Sequence, residues 1–548
     1  MLKKILFSFL LISSLQVVSQ NTVGTILNTS DSFNGYTLFT KNLETYLIDN
    51  CGRIVNQWTS NFNPGNAVYL LEDGSLLKAC KVGNTDIAFG GTGGRIEKYD
   101  WDGNLTWFYD YSSTQFLQHH DVFPMNNGNI LMLAVTVMSN AEAIEAGRDP
   151  STLTDTVLYN EQIIELKPTT PGNADFIWEW NIKNHLVQDF DNSKSNFGII
   201  EDNPQLLDIN FLGTSAGKAN WLHINSIQYD KNLDQIVLSS RLLSEIYIID
   251  HSTTTAQAAT SSGGDYGRGG DILYRWGNPA AYKQGDATNQ KLFGQHNPYI
   301  ITEGYPNAGK LILFNNGFGR SPSFSEVLIL ELPISSPGNY ILDSATNTYG
   351  PSVPFYTYVD PDDPTNFFSR FLSNAQMLQN GNILVNGGAS GDVFELDVND
   401  NKVWRYIVPI TSSSIMSQGD NPFESGNTIF RANRYSPDYT AFVGRDLTPS
   451  DPIELNFDLM GCTITLTVDD FSKSKLTLYP NPISDILTIE VDEKIIISSI
   501  TVFNNLGNSI VKTQNTKQIN LSNLSSGIYY IRLTNNTGES ITKKIIKL

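Results

Sequence analysis

Hydrophobic and polar residues alternate in short runs over most of the chain, which is the period-two pattern of half-buried β-strands. One recurring segment consists of a strand, a turn rich in Asp, Asn or Gly, and a second strand that usually carries Trp. It occurs six times, the fifth copy without Trp, at residues 45–58, 95–109, 162–180, 246–276, 326–333 and 392–406. The pattern therefore predicts a series of β-hairpins.

A second recurring segment falls between these hairpins and consists of a strand, a polar turn and a strongly apolar strand. It spans residues 66–79, 120–134, 223–241, 296–317 and 373–388, with a degenerate sixth copy at 427–444. Six units of about four strands each, without helical periodicity between them, predict an all-β chain that forms a six-bladed β-propeller. A pair of β-sandwiches is the alternative fold.

The two ends of the chain differ from these repeats. Lys3 and Lys4 precede an apolar run at 5–15, so residues 1–20 are expected to be a cleaved signal peptide, with an N-terminal membrane anchor as the alternative. No later run reaches the roughly 18 apolar residues of a membrane span, so we expect no transmembrane segment in the mature chain. The propeller is assigned to 21–468, and a small β-sandwich to 472–548 after a polar break.

The C-terminal block has its own signature. It contains LYPNPISDILTIE at 478–490, VFNNLGNSIV at 502–511, INLSNLSSGIYYIRL at 519–533 and a Lys-containing end at 543–548. These motifs resemble the C-terminal sorting domain of proteins exported by the type IX system of Bacteroidetes. The resemblance implies that the type IX secretion machinery is a partner and that the protein is secreted or held at the cell surface.

Charge and cysteine content narrow the possible functions. The chain has 36 Lys and Arg against 56 Asp and Glu, a formal net charge of −20, which argues against nucleic-acid binding and against docking on an anionic membrane. Its three cysteines allow at most one intramolecular disulfide. Cys51 and Cys80 fall in one early repeat and are a candidate pair, while burial as free thiols is an equal alternative, and Cys462 lies near the second domain.

The chain has only six histidines, and three of them share one position of the repeat. Asn66, His120 and Ser373 each precede the first apolar residue of the following strand by ten positions, and His223 and His296 begin the same strand in repeats with longer turns. The innermost strands of a propeller surround a central channel. We therefore expect three imidazole rings around one axis.

The other histidines receive structural interpretations, and one arginine joins the candidate site. His119 is expected to point to the opposite face of its strand by simple alternation, and His185 and His251 fall in loops or turns. Arg241 ends an apolar strand in the same repeat as His223. A guanidinium facing the channel is suited to an oxyanion, so the four groups predict a site for sulfate or phosphate.

Three imidazoles beside a cation favour group transfer. A neutral imidazole is a nucleophile near neutral pH, cationic donors stabilise charge on the transferred group, and a further imidazole exchanges a proton with the leaving and entering oxygens. No cofactor is needed. The alternatives are a metal-dependent hydrolase or lyase that uses the same three histidines, a non-catalytic surface-binding propeller and, less favoured, a quinoprotein dehydrogenase.

Ordered motifs extend this interpretation. The segments LQHHDVFPMNNGNIL (117–131), NWLHINSIQYD (220–230), IVLSSR (236–241), YRWGNP (274–279), FGQHNPYII (293–301) and GKLILFNNG (309–317) resemble those of the bacterial arylsulfotransferases over about residues 30–450. Those proteins are PAPS-independent aryl-sulfate sulfotransferases built on a six-bladed propeller. The resemblance implies that a small phenolic sulfate is the donor and that another phenol is the acceptor.

The same resemblance implies roles for individual residues. His296 matches the nucleophile of a ping-pong reaction through a sulfohistidine, and His120, His223 and Arg241 match the sulfate-binding and acid–base group. Asn225, two residues after His223, is expected to line the site. The N-terminal β-sandwich and the closely spaced cysteine pair of well-studied periplasmic members have no counterpart here, so their dimerisation is not carried over.

Overall fold

The chain divides into two compact units, Met1–Cys462 and Thr463–Leu548, in a computed structural model. The structure describes residues 21–422, 426–459, 462, 476–491, 497–504, 509–514, 516–535 and 540–548. The signal peptide expected at 1–20 lies outside the described residues. Strands account for 44% of the structure and helices for 7%, which confirms the all-β class.

Six antiparallel sheets build the larger unit, and four of them use strands that follow one another in the chain. The second sheet contains Pro64–Leu70, Leu76–Lys81, Gly94–Tyr99 and Leu105–Asp110, and the third contains Phe116–Pro124, Ile130–Ser139, Val157–Pro168 and Ala174–Asn181. The fourth contains Ile224–Asp230, Gln235–Ser240, Glu245–Asp250 and Ile272–Trp276, and the fifth contains His296–Ile300, Leu311–Asn315, Glu326–Leu330 and Tyr356–Tyr358.

The remaining two sheets join opposite ends of the unit. The first sheet places Ala432–Tyr435 beside Tyr36–Lys41, Glu44–Ile48 and Ile54–Thr59. The sixth contains Asn374–Met377, Ile383–Gly387, Asp392–Leu396 and Lys402–Ile407, with Gly24–Asn28 at its edge. The first sheet therefore joins one late strand to three early ones, and the sixth joins one early strand to four late ones.

A disulfide strengthens the same junction and corrects one expectation. Cys51 is bonded to Cys462, 411 positions later, whereas Cys80 is a buried free thiol whose Sγ lies 3.2 Å from Glu97. The pairing of Cys51 with Cys80 was wrong because position within a repeat does not report which distant segment packs beside it. A cross-link over so long a loop removes conformational freedom mainly from the unfolded chain.

The six sheets follow one another in space. From the second sheet to the sixth, the first strand of each sheet contacts the first strand of the next. The first sheet contacts both the second and the sixth. A separate hydrophobic cluster fills each of the six gaps between neighbouring sheets. The core is thus distributed between sheets, because every strand buries apolar side chains toward a neighbouring sheet.

The recurrent tryptophans join five of the six sheets to the next. In each of the five, a Trp on the fourth strand along the chain or sheet donates its indole N–H to a backbone carbonyl of the following sheet or its loops. These bonds run from Trp58 to Asp100, from Trp107 to Asn173, from Trp180 to Gly270, from Trp276 to Pro351 and from Trp404 to Asn50. In the fifth sheet, whose sequence copy lacks Trp, Tyr356 donates its hydroxyl to Asp400 instead.

Short helices and two-stranded ladders occur in the loops between the main strands. The α-helices are Asn140–Glu145 and Thr255–Ala258, the first within a segment whose composition favours a helix. Single 3₁₀ turns cover Pro150–Thr152, Ile182–Asn184, Ile200–Asp202, Pro279–Tyr282, Ala287–Asn289, Pro364–Asn366 and Thr440–Phe442. Two-stranded ladders pair Leu186–Val187 with Leu207–Asp208, Ile334–Ser336 with Asn339–Tyr340, and Leu342–Asp343 with Thr348–Tyr349.

Within the described residues, we find no helix of the length and apolar character that crossing a membrane requires.

The smaller unit contains two antiparallel sheets. One is formed by Thr477–Tyr479, Ile486–Glu490 and Gln518–Asn520, and the other by Ser509–Gln514, Ile497–Phe503, Gly527–Asn535 and Ser540–Lys547. A single hydrophobic cluster draws on both sheets, with Leu487, Ile489, Ile500, Val502 and Ile531 at its centre.

Candidate functional site

The candidate histidines lie on or directly before three inner strands: His120 within Phe116–Pro124 of the third sheet, His223 just before Ile224–Asp230 of the fourth, and His296 at the start of His296–Ile300 of the fifth. Left-handed backbone recurs at Asn66, His120, His223 and Ser373, with φ of 94°, 48°, 51° and 91°. In the fifth sheet the same conformation falls at Asn297, with φ of 52°, one residue after His296. The shared position is therefore confirmed in four repeats and displaced by one residue in the fifth, where the ladder shifts register between His296 and Tyr299.

The structure brings the three candidate imidazoles together. The rings of His120 and His223 lie 4.6 Å apart between centroids. The ring of Phe430 lies 6.5 Å from that of His120 and 6.5 Å from that of His296. Since the three histidines come from three neighbouring sheets, only the arrangement of the sheets makes them one cluster.

Burial and mutual repulsion keep these imidazoles neutral. Burial, followed by the charge of Arg241, lowers the pKa of His296 to about 3. The pKa of His120 is well below its usual value because of burial and the nearby His223, and that of His223 because of burial and Arg241. A neutral imidazole retains one unprotonated nitrogen, which is what a nucleophile or a general base requires.

Arg241 supplies a positive charge that no carboxylate of the described residues neutralises. It follows the strand Gln235–Ser240, its backbone N–H donates to the carbonyl of His223 at 3.2 Å, and its guanidinium carbon lies 5.2 Å from the centre of the Phe318 ring. Three buried arginines of this unit are ion-paired, Arg275 with Glu245, Arg431 with Asp121 and Arg434 with Glu395. A fourth, Arg148, has no carboxylate partner among the described residues and donates to the backbone carbonyl of Ile209. The charge of Arg241 is thus available to a bound anion.

Hydrogen bonds fix which nitrogen of His296 carries its proton. Its Nδ1 lies 2.7 Å from Oδ1 of Asn316 and 3.1 Å from the carbonyl of Gly294. The amide nitrogen of Asn316 donates to the carbonyls of Ser369 and Leu372, so its oxygen must face the histidine. Both oxygens accept, so Nδ1 is protonated and Nε2 holds the free electron pair.

His223 has the opposite arrangement. The amide nitrogen of Asn220 lies 2.7 Å from Nδ1 of His223, and an amide donor in this place goes with a ring proton on Nε2. Asn225 is fully buried and donates to the backbone carbonyl of Gln295 at 2.7 Å. Asn225 therefore links the fourth sheet to the residue before His296, while its side-chain oxygen has no partner among the described residues.

His119 does not point away from the site, contrary to the expectation from alternation. Its Nδ1 lies 2.9 Å from Nδ1 of His120, and its Nε2 lies 2.9 Å from the carboxylate of Glu161. Alternation fails because His120 has left-handed backbone and the ladder shifts register between Met132 and Ala134. Two neighbouring histidines in one strand were the available signal, and the irregular backbone hid its meaning.

His185 and His251 have structural partners, as the sequence interpretation expected. His185 lies between Asp271, at 2.8 Å, and the carbonyl of Ala258, at 2.9 Å. His251 lies between the carboxylates of Asp234, in a turn of the fourth sheet, and Glu165, in the third sheet. Neither contacts the candidate site.

A glycine lets a loop approach His120 closely. Gly91 accepts a hydrogen bond from the backbone N–H of His120 at 2.7 Å, and its φ is +90°. A Cβ at this position would lie 2.1 Å from Nε2 of His120. The ring of Phe89, in the same loop, lies 6.2 Å from that of His120 and 6.0 Å from that of His223, so the loop covers this side of the cluster.

A cavity of about 230 Å³ opens beside the cluster. Its lining includes Lys41, Asn66, Leu372 and Phe430. Burial lowers the pKa of Lys41 to about 8, and its ammonium donates to the carbonyls of Gly426 and Thr428. Across the described ranges, no group of three or more His, Cys, Asp and Glu side chains is arranged to hold a metal ion.

Solved structures give distant similarities. A protein of unknown function from Bacteroides caccae is 10% identical, covering 68% of this chain and 93% of its own, with a TM-score of 0.36. A virginiamycin B lyase from Staphylococcus aureus is 9% identical (71% and 89% covered, TM-score 0.31), and a putative 6-phosphogluconolactonase from Bacteroides fragilis is 10% identical (74% and 99% covered, TM-score 0.33). At these TM-scores the similarities support no assignment. No curated protein matches the chain.

Two family models match the sequence. The model of the secretion system C-terminal sorting domain matches residues 477–548, which implies export and a secreted or cell-surface location. The model described as arylsulfotransferase (ASST) matches residues 18–414 and thus includes every histidine of the cluster. The chain belongs to the arylsulfotransferase family.

Proposed function

We propose that this protein transfers a sulfuryl group from a phenolic sulfate ester to another phenol through a covalent sulfohistidine at His296. The observation that carries the proposal is the hydrogen bonding of His296. Its Nδ1 proton is committed to Asn316 and Gly294, and its Nε2 electron pair lies in a cluster with the unpaired cation Arg241. A nucleophile for a sulfate ester needs this combination of a free electron pair and a nearby positive charge.

The architecture proposed for this activity is a six-bladed β-propeller at 21–468, preceded by a signal peptide at 1–20. Six sheets that contact one another in order, with the first also contacting the sixth, support that fold. The C-terminal domain at 472–548 is proposed to be a β-sandwich, since two sheets share one hydrophobic cluster. Type IX export would then place the enzyme outside the cell or on its surface.

The donor is proposed to bind with its sulfate against Arg241, His120 and His223. The guanidinium and the protonated Nε2 of His223 are donors for the anionic oxygens. Phe89 and Phe430 flank the imidazoles and offer apolar surface to the aryl group. Anion binding in a protein of net charge −20 is feasible because Arg241 places a positive charge beside the histidines without a carboxylate partner among the described residues.

The proposed reaction has two steps, and in each step one bond to sulfur forms while another breaks. First, the Nε2 electron pair of His296 forms an N–S bond while the S–O bond to the aryl group breaks and the phenolate leaves with that electron pair. Second, the oxygen of the acceptor phenol bonds to sulfur, the N–S bond breaks and its electron pair returns to Nε2. His120 and His223 exchange the phenolic proton, and Arg241 stabilises the charge on the sulfuryl oxygens in both steps.

The test is sulfate transfer from p-nitrophenyl sulfate to phenol, with a chelator present and PAPS absent. The wild-type protein is expected to release p-nitrophenolate and, without acceptor, to accumulate a sulfo group on His296 that mass spectrometry of peptides locates. His296→Ala should lose transfer activity and the labelled peptide. His251→Gln is the matched control, because this histidine lies between Asp234 and Glu165. Full transfer activity in His296→Ala overturns the proposal.

A further inference from the structure

A chain of three buried groups leads away from the site behind His120. Oε1 of Glu161 accepts the backbone N–H of Ile224 at 3.0 Å, and Oε2 of Glu161 lies 2.9 Å from Nε2 of His119. Nδ1 of His119 lies 2.9 Å from Nδ1 of His120. The exposed fraction is 1% for Glu161, 0% for His119 and 3% for His120, so water does not compete for these contacts.

The carboxylate determines the proton positions along this chain. An ionised carboxylate only accepts, so the nitrogen of His119 that faces Glu161 carries a proton. In a neutral His119 the other nitrogen, Nδ1, is then an acceptor, and Nδ1 of His120 must donate to it. His120 consequently carries an unprotonated Nε2, on the edge of the ring that faces Gly91, and this is the form that accepts a proton.

We propose that Glu161 and His119 are positioning residues that hold His120 as the proton acceptor for the phenol in the second step of the proposed reaction. This inference rests on the proposed function and assigns His120 a role separate from that of His223, whose Nε2 is protonated. The acceptor hydroxyl gives its proton to Nε2 of His120 while its oxygen bonds to sulfur. The Nδ1 proton of His120 moves to Nδ1 of His119.

The relay places the positive charge where the surroundings stabilise it. On His120 the charge would be buried and would face His223, His119, His296 and Arg241, all of which disfavour it. On His119 it lies 2.9 Å from the carboxylate of Glu161. When the next donor reacts, the leaving phenolate recovers the proton from His120, and the chain returns to its starting state, so no proton is gained or lost over a cycle.

Glu161→Gln is a sharp variant because the neighbouring backbone fixes its orientation. The N–H of Ile224 needs an acceptor, so the amide oxygen of the glutamine faces it and the amide nitrogen faces His119. This reverses every bond in the chain: His119 accepts at Nε2 and donates from Nδ1, and His120 accepts at Nδ1 and carries its proton on Nε2. His120 then no longer accepts a proton from the phenol.

The two half-reactions separate this effect from loss of the nucleophile. The burst of p-nitrophenolate should remain within about threefold of wild type in Glu161→Gln, since this leaving group departs readily without a proton. Transfer from the sulfo-enzyme to phenol at pH 7 should fall about 100-fold, the size of effect expected when a general base is removed. The deficit should shrink with acceptor phenols of lower pKa and with rising pH, because an ionised acceptor needs no base.

Two further variants keep the test decisive if Glu161→Gln does not fold. Glu161→Asp retains an ionised acceptor and should recover part of the second step. His119→Asn breaks the link to the carboxylate and should show the same dependence on acceptor pKa. A deficit that is equal in both half-reactions, or independent of acceptor pKa, overturns the relay while leaving the sulfohistidine intact; transfer activity in His296→Ala instead overturns the proposed function itself.

Discussion

His251 and His296 are both largely buried, yet their surroundings give them opposite charge states. His251 lies 2.6 Å from Asp234 and 3.1 Å from Glu165, and despite burial these carboxylates raise its pKa to about 9. His296 faces a neutral amide and a backbone carbonyl, and burial together with Arg241 lowers its pKa to about 3. The first is a cation that connects two sheets, and the second is a neutral ring with a free electron pair.

The arginines show the same contrast. Arg431 forms a buried ion pair with Asp121, the residue after His120, and also donates to the hydroxyl of Tyr69. Arg241 has no such carboxylate partner among the described residues and lies where it lowers the pKa of the clustered histidines. Paired charges hold the sheets together, whereas the unpaired cation and the neutral imidazoles form the site. Changing the charge or the charged partner of one residue at a time tests this difference between the site and the paired charges.

The largest expected effect comes from removing the unpaired cation. Arg241→Met should lower kcat/KM for p-nitrophenyl sulfate by about 10²–10³-fold, or about 3–4 kcal/mol, because the charge on the sulfuryl oxygens loses its main partner. Steady-state kinetics measures the loss, and Arg241→Lys, which keeps a point charge, should recover part of it. A variant within twofold of wild type would show that Arg241 does not contact the transferred group.

A smaller effect on activity is expected when His296 is given a carboxylate partner of the kind that His251 has. Asn316→Asp places a carboxylate beside Nδ1, where the amide oxygen now lies 2.7 Å away, and should raise the pKa of His296. In wild type, with a pKa of about 3, protonation of His296 should not reduce kcat/KM between pH 8 and 5. The variant should lose about 10–100-fold in kcat/KM at neutral pH and gain an acid limb above pH 5.

The pH profile of kcat/KM measures this change, and thermal unfolding controls for stability, since the new carboxylate cannot donate to Ser369 and Leu372 as the amide does. An unchanged profile in a folded variant would mean that His296 is not the group whose protonation limits the reaction.

The smallest effect on activity is expected at His251. His251→Gln should leave kcat/KM within twofold of wild type and lower the free energy of unfolding by about 2 kcal/mol at pH 6. The folded pKa, about 9, lies above the unfolded value of about 6.5, so the stabilisation is complete below pH 6.5 and disappears as the pH rises toward 9. Chemical denaturation at pH 6 and pH 9.5 measures the difference between the two proteins. A difference that does not shrink at the higher pH contradicts the assignment.

Much of the fold follows from local patterns. Alternation and turn residues predict the hairpins, and the repeated Trp corresponds to a bond to the next sheet in five of the six sheets. The pattern does not reveal that Cys51 pairs with Cys462 or that Gly24–Asn28 joins the sixth sheet. Both contacts join opposite ends of the unit, and local periodicity contains no information about contacts over several hundred residues.

The residues of the candidate site were likewise only partly predictable from the sequence. The repeat position identifies His120, His223 and His296, and the polar end of an apolar strand identifies Arg241. The sequence interpretation missed His119, because a left-handed residue breaks the alternation on which that interpretation relied. Asn316 and Glu161 were also missed, since they act only as hydrogen-bond partners of histidines in other segments.

The sequence by itself determined the all-β class, the membership in the arylsulfotransferase family and the sorting domain, and it singled out His120, His223, His296 and Arg241 as candidates. Only the tertiary structure decided which nitrogen of each imidazole is free. Proton placement on a histidine depends on the donors and acceptors that surround it, and here these are the adjacent His119 for His120, the loop residue Asn220 for His223, and Asn316, at the end of the neighbouring strand, for His296. Residue types can be read along one chain, but proton positions depend on contacts in three dimensions.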